Sequence, residues 1–330
     1  MSDRPHIPVM LAEVLAAAQV ADGDVVVDAT FGNGGYSEAL LKAADCSVIG
    51  LDRDPTVGPR AQALMNRYPG RFRLVETPFS EMGQRDLPMA DVVVFDIGVS
   101  SMQIDQAERG FSFQKDGPLD MRMSRSGPTA RDAVMSLDAA ELTTLFKFYG
   151  EERHARRAAQ RIVEAREEDE ITTTGQLASI IETAIGRSGK IHPATRIFQA
   201  LRIYINDELG ELYRGLCAAE RLLKPGGRLV VVTFHSLEDR IAKQFLRDRA
   251  GEVEGGSRYA PAIVQTGPDA SFTLPRRSVV KPSKSEESDN PRSRSAKLRL
   301  AVRSDAPAQE SDPHAWIPAK LNFPRLERLT

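Results

Sequence analysis

Short apolar runs separated by glycine- or acid-bearing turns set the rhythm of residues 24–99. Residues 25–27, 47–51, 72–75 and 92–95 are β-branched or aliphatic without strict alternation, the pattern of strands covered on both faces. A helical stretch at 37–44 follows the first run, and the alternation predicts a parallel, doubly wound α/β sheet. After Ser101 the rhythm stops for about a hundred residues. Residues 103–126 carry Asp, Arg, Gly and Ser with little period, and helices are expected at 138–148, 151–167, 174–185 and 194–216. In the last of these Ile197, Leu201, Ile205, Leu209, Leu212 and Leu216 form one apolar stripe, and Pro193 suits its first turn. Lys224-Pro225-Gly226-Gly227 reads as a turn before a fifth strand at 228–234, and a last strand is expected at 296–302. A helical domain inserted between the fourth and fifth strands follows. The expected division is 1–104, first part of the sheet domain; 105–209, insertion; and 210–330, second part with a basic C-terminal segment.

Composition narrows the class without deciding it. The 330 residues are 41% hydrophobic and 27% charged, with a net charge of -2. No apolar stretch approaches the roughly 20 residues of a spanning helix, and residues 9–21 read as an amphipathic helix, not a signal sequence, so a cytoplasmic protein without a membrane partner is expected. Cys46 and Cys217 stand apart from each other and from any ligand-spaced His, which predicts reduced, buried thiols and no metal site. Any polyanion must be held by local patches, because the overall charge exerts no pull. Residues 273–303 hold nine Lys or Arg against three acids, and residues 187–204 hold four, Arg196 among them, against none.

The chemistry concentrates at the carboxyl ends of the first strands. Asp28-Ala29-Thr30-Phe31-Gly32-Asn33-Gly34-Gly35 leaves bare backbone where open α/β sheets bind nucleotides, and Asp52 ends the second strand, placed to accept from ribose hydroxyls. A dinucleotide fingerprint would need glycine where Ser37 stands. The additional acid Asp28 suits a cationic ligand better than a pyrophosphate, and S-adenosylmethionine, with its sulfonium and ammonium groups, has that charge. Asp96, ending the fourth strand, supplies a third acid at the same edge.

Taken together, His6-x-Pro8-Val9, the Asp28 to Gly35 loop, Leu51-Asp52-Arg53-Asp54-Pro55, Asp96-Ile97-Gly98-Val99-Ser100-Ser101, Glu108-Arg109-Gly110-Phe111-Ser112-Phe113, Gly117-Pro118-Leu119-Asp120-Met121-Arg122-Met123, Tyr149-Gly150-Glu151-Glu152-Arg153, His192-Pro193-Ala194-Thr195-Arg196, Phe234-His235-Ser236-Leu237-Glu238-Asp239-Arg240 and Asn290-Pro291-Arg292-Ser293 resemble the bacterial small-subunit ribosomal RNA methyltransferase H family, also called MraW. The resemblance implies a class I, Rossmann-like methyltransferase fold and transfer of a methyl group from S-adenosylmethionine to the exocyclic N4 of a cytidine in the decoding region. It also implies a small-subunit RNA partner, favours the assembled subunit over naked RNA, and is compatible with a homodimer. Carried over by position, cofactor contacts fall on Gly34, Gly35, Tyr36, Asp52, Phe79, Asp96 and Gln103, joining Asp28 and Gly32 from the loop itself. Tyr36 stands where the family commonly has His, so a backbone contact survives the exchange while a side-chain role does not follow.

Asp96 is the candidate for contacting the reacting amine, and His235, just after the fifth strand, for binding the base or accepting a proton. The Asp-Pro-Pro-aromatic signature of better-known amino methyltransferases is missing, which argues against a DNA amino methyltransferase and leaves Phe234, Phe111 and Phe113 as candidates to stack on the base. Phe111, Phe113 and Arg122 are expected in a lid over it. Arg292, Arg294, Lys297 and Arg299 are expected as unpaired phosphate contacts. Retention of all three strand-end acids favours turnover over a non-catalytic RNA- or cofactor-binding module.

Overall fold

The computed structural model describes residues 8–99, 101–124, 126–187, 191–251, 268–275, 279–318 and 326. His6, Ser100 and the side chain of Arg292 lie outside the described set. In chain order the elements are α1 (Leu11–Ala18), β1 (Val25–Asp28), α2 (Gly35–Ala43), β2 (Ser47–Asp52), α3 (Gly58–Arg67), β3 (Phe72–Glu76), β4 (Ala90–Asp96), α4 (Ser101–Asp105), α5 (Ala130–Ser136), α6 (Ala139–Phe148), α7 (Ala155–Glu168), α8 (Thr174–Ile185), α9 (Ala194–Asn206), α10 (Glu208–Leu222), β5 (Leu223–Thr233), α11 (Ser236–Arg249), β6 (Phe272–Thr273), β7 (Val279–Val280), α12 (Lys284–Asp289) and β8 (Lys297–Arg303).

The strands form one sheet in the order β3-β2-β1-β4-β5-β8-β6, with β7 also on β8. The first five pair in parallel, and β8 runs antiparallel to β5. Both faces are covered, which is why the strands lack polar alternation. Val27, Val93, Phe95, Leu229 and Val231 pack with Leu212 and Leu216 of α10 and Phe245 of α11. Their neighbours Val26, Val48, Val92, Val94 and Val230 face Val14, Leu40 and Leu64 of α1, α2 and α3. Cys46 and Cys217 are buried free thiols.

The chain divides into two compact units. One comprises Met1–Gly98 and Leu209–Trp316 and holds the sheet; the other comprises Val99–Glu208 with the chain from Ile317. Sequence reading set the insertion at 105–209 and kept the C-terminal end with the sheet. The second unit is helical, and side-chain oxygens satisfy the free amides at several helix starts: Thr129, Asp138 and Thr173 each form a capping box.

Two expectations need correction. The helix expected at 194–216 is two helices, because Asp207 takes a left-handed conformation (φ 47°) that ends α9. The apolar stripe runs through the break, so periodicity alone could not reveal it. The turn expected at 224–227 lies within β5, whose register against β4 shifts between Ala90 and Val92 while Gly226 adopts φ +81°.

The break predicts an order of stabilities. Asp207→Ala should lower unfolding free energy by about 1 kcal/mol, and Asp207→Gly should do so less, since only glycine occupies the left-handed region without steric cost. Denaturant titration of both variants checks this; a continuous helix would reverse the order.

Candidate active site

Three strand ends carry the acids. Residue Asp28 pairs in register with Gly50 of β2 and Val94 of β4, so the tips of neighbouring strands lie side by side. After β1 the chain turns sharply: Phe31 N donates to Leu51 O (2.8 Å), Gly34 N donates to Phe31 O (2.7 Å), and Gly34 caps α2 at φ 71°. A Cβ on Gly34 would lie 2.9 Å from the Phe31 ring, and one on Gly35 would lie 2.3 Å from Pro8. Both glycines are thus required by close packing behind the turn.

Each acid has a different environment. Asp28 is fully buried, accepts from Ser37 Oγ (2.7 Å) and Thr30 N (3.3 Å), and has its pKa raised to about 6, chiefly by burial. Those two bonds tie it to the loop and to the start of α2. Asp52 accepts from Gly32 N and Asp54 N, both at 2.8 Å, which ties the glycine turn to the end of β2; burial raises its pKa too. Asp96 is anchored by its backbone, its N donating to Thr30 Oγ1 (2.6 Å). Its Oδ1 is buried without a hydrogen-bond partner among the described residues. Burial, then the negative charges of Asp28 and Glu238, hold the Asp96 carboxyl well above its ordinary value.

An unmatched buried acceptor costs free energy unless a ligand supplies a donor. The residues present therefore suit a ligand carrying positive charge or N–H groups, which Asp52, Asp96 and the Gly32 to Gly35 backbone would hold.

Other expected site residues sit differently. Tyr36 is buried and its hydroxyl donates to Val9 O, so its side chain braces α1 and leaves only its backbone for a ligand. Phe79 is half-buried and packs edge-on against Phe95 (centroids 5.4 Å) at the margin of the core. His235 caps α11: its Nδ1 accepts from Glu238 N (3.4 Å), and its Nε2 is 2.9 Å from Glu238 Oε1. Phe234 is half-buried, with its N donating to Glu238 Oε2 (2.7 Å). Glu238 stands in the sequence three residues after His235, the spacing of a helix-start carboxylate. Thr30, which anchors the Asp96 backbone, carried no signal beyond lying in the loop, and Ser37, in the first turn of α2, was read only as the place of a missing glycine.

The basic tail needs a larger correction. Lys297 and Arg299 are not unpaired: Lys297 Nζ and Arg299 Nη2 both lie 2.7 Å from Asp239 carboxylate oxygens. Arg294 is exposed. In the helical unit, Gln103 is buried; Phe111 is buried with the Arg109 guanidinium 5.7 Å from its ring centre; and Phe113 packs on His192 and Phe198. The Arg122 guanidinium is held by Asp120 (2.7 Å), a partner two residues away that the lid reading left out. Arg196 is largely exposed, donating to Glu151 O (3.3 Å).

A sheet of this order, closed by an antiparallel strand, with a glycine turn after β1 and acids at the tips of β1, β2 and β4, is a class I methyltransferase of Rossmann-like type. Residues 3–304 match the MraW methylase family, and the chain belongs to it. Similar relatives include the ribosomal RNA small subunit methyltransferase H of Maricaulis maris, 58% identical over 319 residues and covering 95% of each chain. Those of Caulobacter vibrioides (56%, covering 94% of this chain and 99% of the relative) and Paramagnetospirillum magneticum (54%, 94% and 99%) bear the same name. As a methylase of this family, the chain takes its methyl group from S-adenosylmethionine.

Two outcomes follow. Gly34→Ala, strained by its positive φ and by the Phe31 ring, should weaken S-adenosylmethionine binding at least tenfold by calorimetry while leaving the far-ultraviolet spectrum native. Asp239→Ala, which strips the buried Arg299 of its partner, should cost about 3 kcal/mol of stability, whereas Arg294→Ala should change it by less than about 0.5 kcal/mol. Equal effects in denaturant titration would refute the pairing.

Proposed function

We propose that this chain methylates the exocyclic N4 of a cytidine in small-subunit ribosomal RNA, with Asp96 contacting the amine. The observation that carries the reading is the buried, partnerless Asp96 Oδ1 at the tip of β4. The N4 lone pair is delocalised into the ring, and an acceptor on its N–H helps localise that pair toward an incoming methyl carbon. The relatives' printed name, with identities above half over nearly the whole chain, supports small-subunit ribosomal RNA as the substrate.

Bound S-adenosylmethionine supplies an electrophilic methyl on positively charged sulfur. The chain's own residues do the rest. Asp52 and the Gly32 to Gly35 backbone orient the donor, and Asp96 fixes the amine in line with it, so that much of the barrier is met by alignment. A stacked cytosine cannot reach such a site and must be turned out. Half-buried Phe234, adjoining β5, offers a face for the extruded base, and His235 stands beside it. Phe113, Arg122 and Arg196 of the helical unit recognise the surrounding RNA, and Arg292 and Arg294 contact phosphate. The substrate is the assembled subunit in the cytoplasm.

Nucleoside analysis of small-subunit RNA from cells lacking the gene tests this. N4-methylated cytidine should disappear, return with the wild-type gene, and stay absent with Asp96→Ala. An unchanged nucleoside profile would reject the reading.

A further inference from the structure

We propose that the exposed arginines at the start of α7, Arg153, Arg156 and Arg157, form a docking surface for the phosphate backbone of the RNA substrate, and that Arg196 continues it onto α9. The proposal rests on ribosomal RNA as the substrate reached above, and not on which atom is methylated.

Helical spacing builds the surface. Ala155, Ala158, Ala159 and Ile162 of α7 are buried, while Arg153 just before the helix and Arg156 and Arg157 in its first turn are exposed. The turn that enters α7 is pressed onto α9: a Cβ on Gly150 would lie 2.6 Å from Arg196 O, and Gln199 Nε2 donates to Tyr149 O (3.0 Å). Arg196, whose Nη1 donates to Glu151 O (3.3 Å), therefore stands beside the same turn. α9 also carries Phe198, against which Phe113 packs (centroids 4.9 Å), so a single helix joins these cations to an aromatic assigned above to the RNA.

Nearby acids are engaged elsewhere. Glu164 pairs with Arg161 (3.4 Å), Glu170 pairs with Arg131 (3.0 Å), and Asp138 and Glu141 cap α6. Glu152 is buried, accepts from His154 N (2.8 Å) and lies 3.9 Å from Arg196. Arg153, Arg156 and Arg157 are paired with no carboxylate among the described residues.

The order of charge along α7 also opposes helix stability. Its arginines crowd the end where the macrodipole is positive, its first turn holds no acid, and Glu167 and Glu168 stand at the opposite end, where the dipole is negative. In the same unit, α5 and α6 carry acids in their first turns. A local rule broken on exposed side chains, where packing makes no demand, marks a face kept for an external anion. Guanidinium forks match phosphate oxygens in pairs and stay charged throughout the physiological range. RNA presents such anions in a row, and a chain of net charge -2 must meet them with a local patch of this kind.

Salt titration of RNA binding reads these contacts. With the purified full chain and small-subunit ribosomal RNA, the slope of log K against log salt should be shallower by about two to three when Arg153→Gln, Arg156→Gln and Arg157→Gln are combined, and by about one for Arg156→Gln alone. At about 0.15 M salt the triple variant should bind at least about tenfold more weakly. Its melting temperature should equal or exceed that of the wild type, because the start of α7 sheds charges that the dipole disfavours, and calorimetry should find S-adenosylhomocysteine bound equally by both. Replacing all three with Lys, which keeps the charge and loses the fork, should return the slope to that of the wild type.

An unaltered slope in the Gln variants overturns the proposal, as does a Lys variant whose slope stays shallow. So does a triple Gln variant that binds free RNA as the wild type does yet loses affinity for the assembled subunit, since a ribosomal protein would then be the partner. A wild type that binds RNA with the steeper slope but forms no N4-methylcytidine would end the reading above and leave this surface standing.

Discussion

Burying carboxylates at one edge of the sheet is the constraint on which this molecule turns. Asp28 is sealed beneath the glycine turn, Asp96 has a buried oxygen with no hydrogen-bond partner among the described residues, and Glu238 is enclosed at the start of α11. Charged groups removed from water cost several kcal/mol each unless something compensates them. Backbone amides and the Ser37 hydroxyl compensate Asp28 and Asp52 in part. The remaining imbalance is chemical information: it specifies a positively charged ligand at one edge of the sheet.

The rest of the first unit makes that imbalance sustainable. Parallel pairing of β2, β1, β4 and β5 brings their carboxyl ends to one edge, and two apolar layers fix the strands rigidly enough to hold the acids there. The antiparallel β8 lies beside β5, and its Lys297 and Arg299 are paired locally with Asp239. This spares the acid edge from internal neutralisation. The same pairing shows that a basic stretch in a sequence need not be a surface for nucleic acid.

Much of the frame was legible in the chain. Both-face burial left the strands as plain apolar runs, the glycine cluster marked the turn after β1, and acids at successive strand ends marked the edge that matters. Less visible were features set by distant partners. The stripe of leucines and isoleucines gave no sign that Asp207 breaks the helix, because a single left-handed residue leaves the apolar positions in phase. Tyr36 was placed by position in a motif, and its hydroxyl turns to Val9 O, a partner 27 residues away. Pairing of Arg299 with Asp239, 60 residues apart, depends on α11 lying beside β8. Glu238 was readable as a helix-start carboxylate, but its influence on Asp96 appears only once β4 and β5 lie side by side.

Whether a carboxylate cluster is held out of balance until a positive donor binds is tested most directly by the carboxyl carbon resonances of Asp28 and Asp96. Recorded by nuclear magnetic resonance across the pH range, they should titrate above the ordinary aspartate range in the free protein, Asp28 near 6, and move to lower pH once S-adenosylmethionine is bound. Ordinary aspartate titration in the free protein, unchanged by the donor, would contradict it.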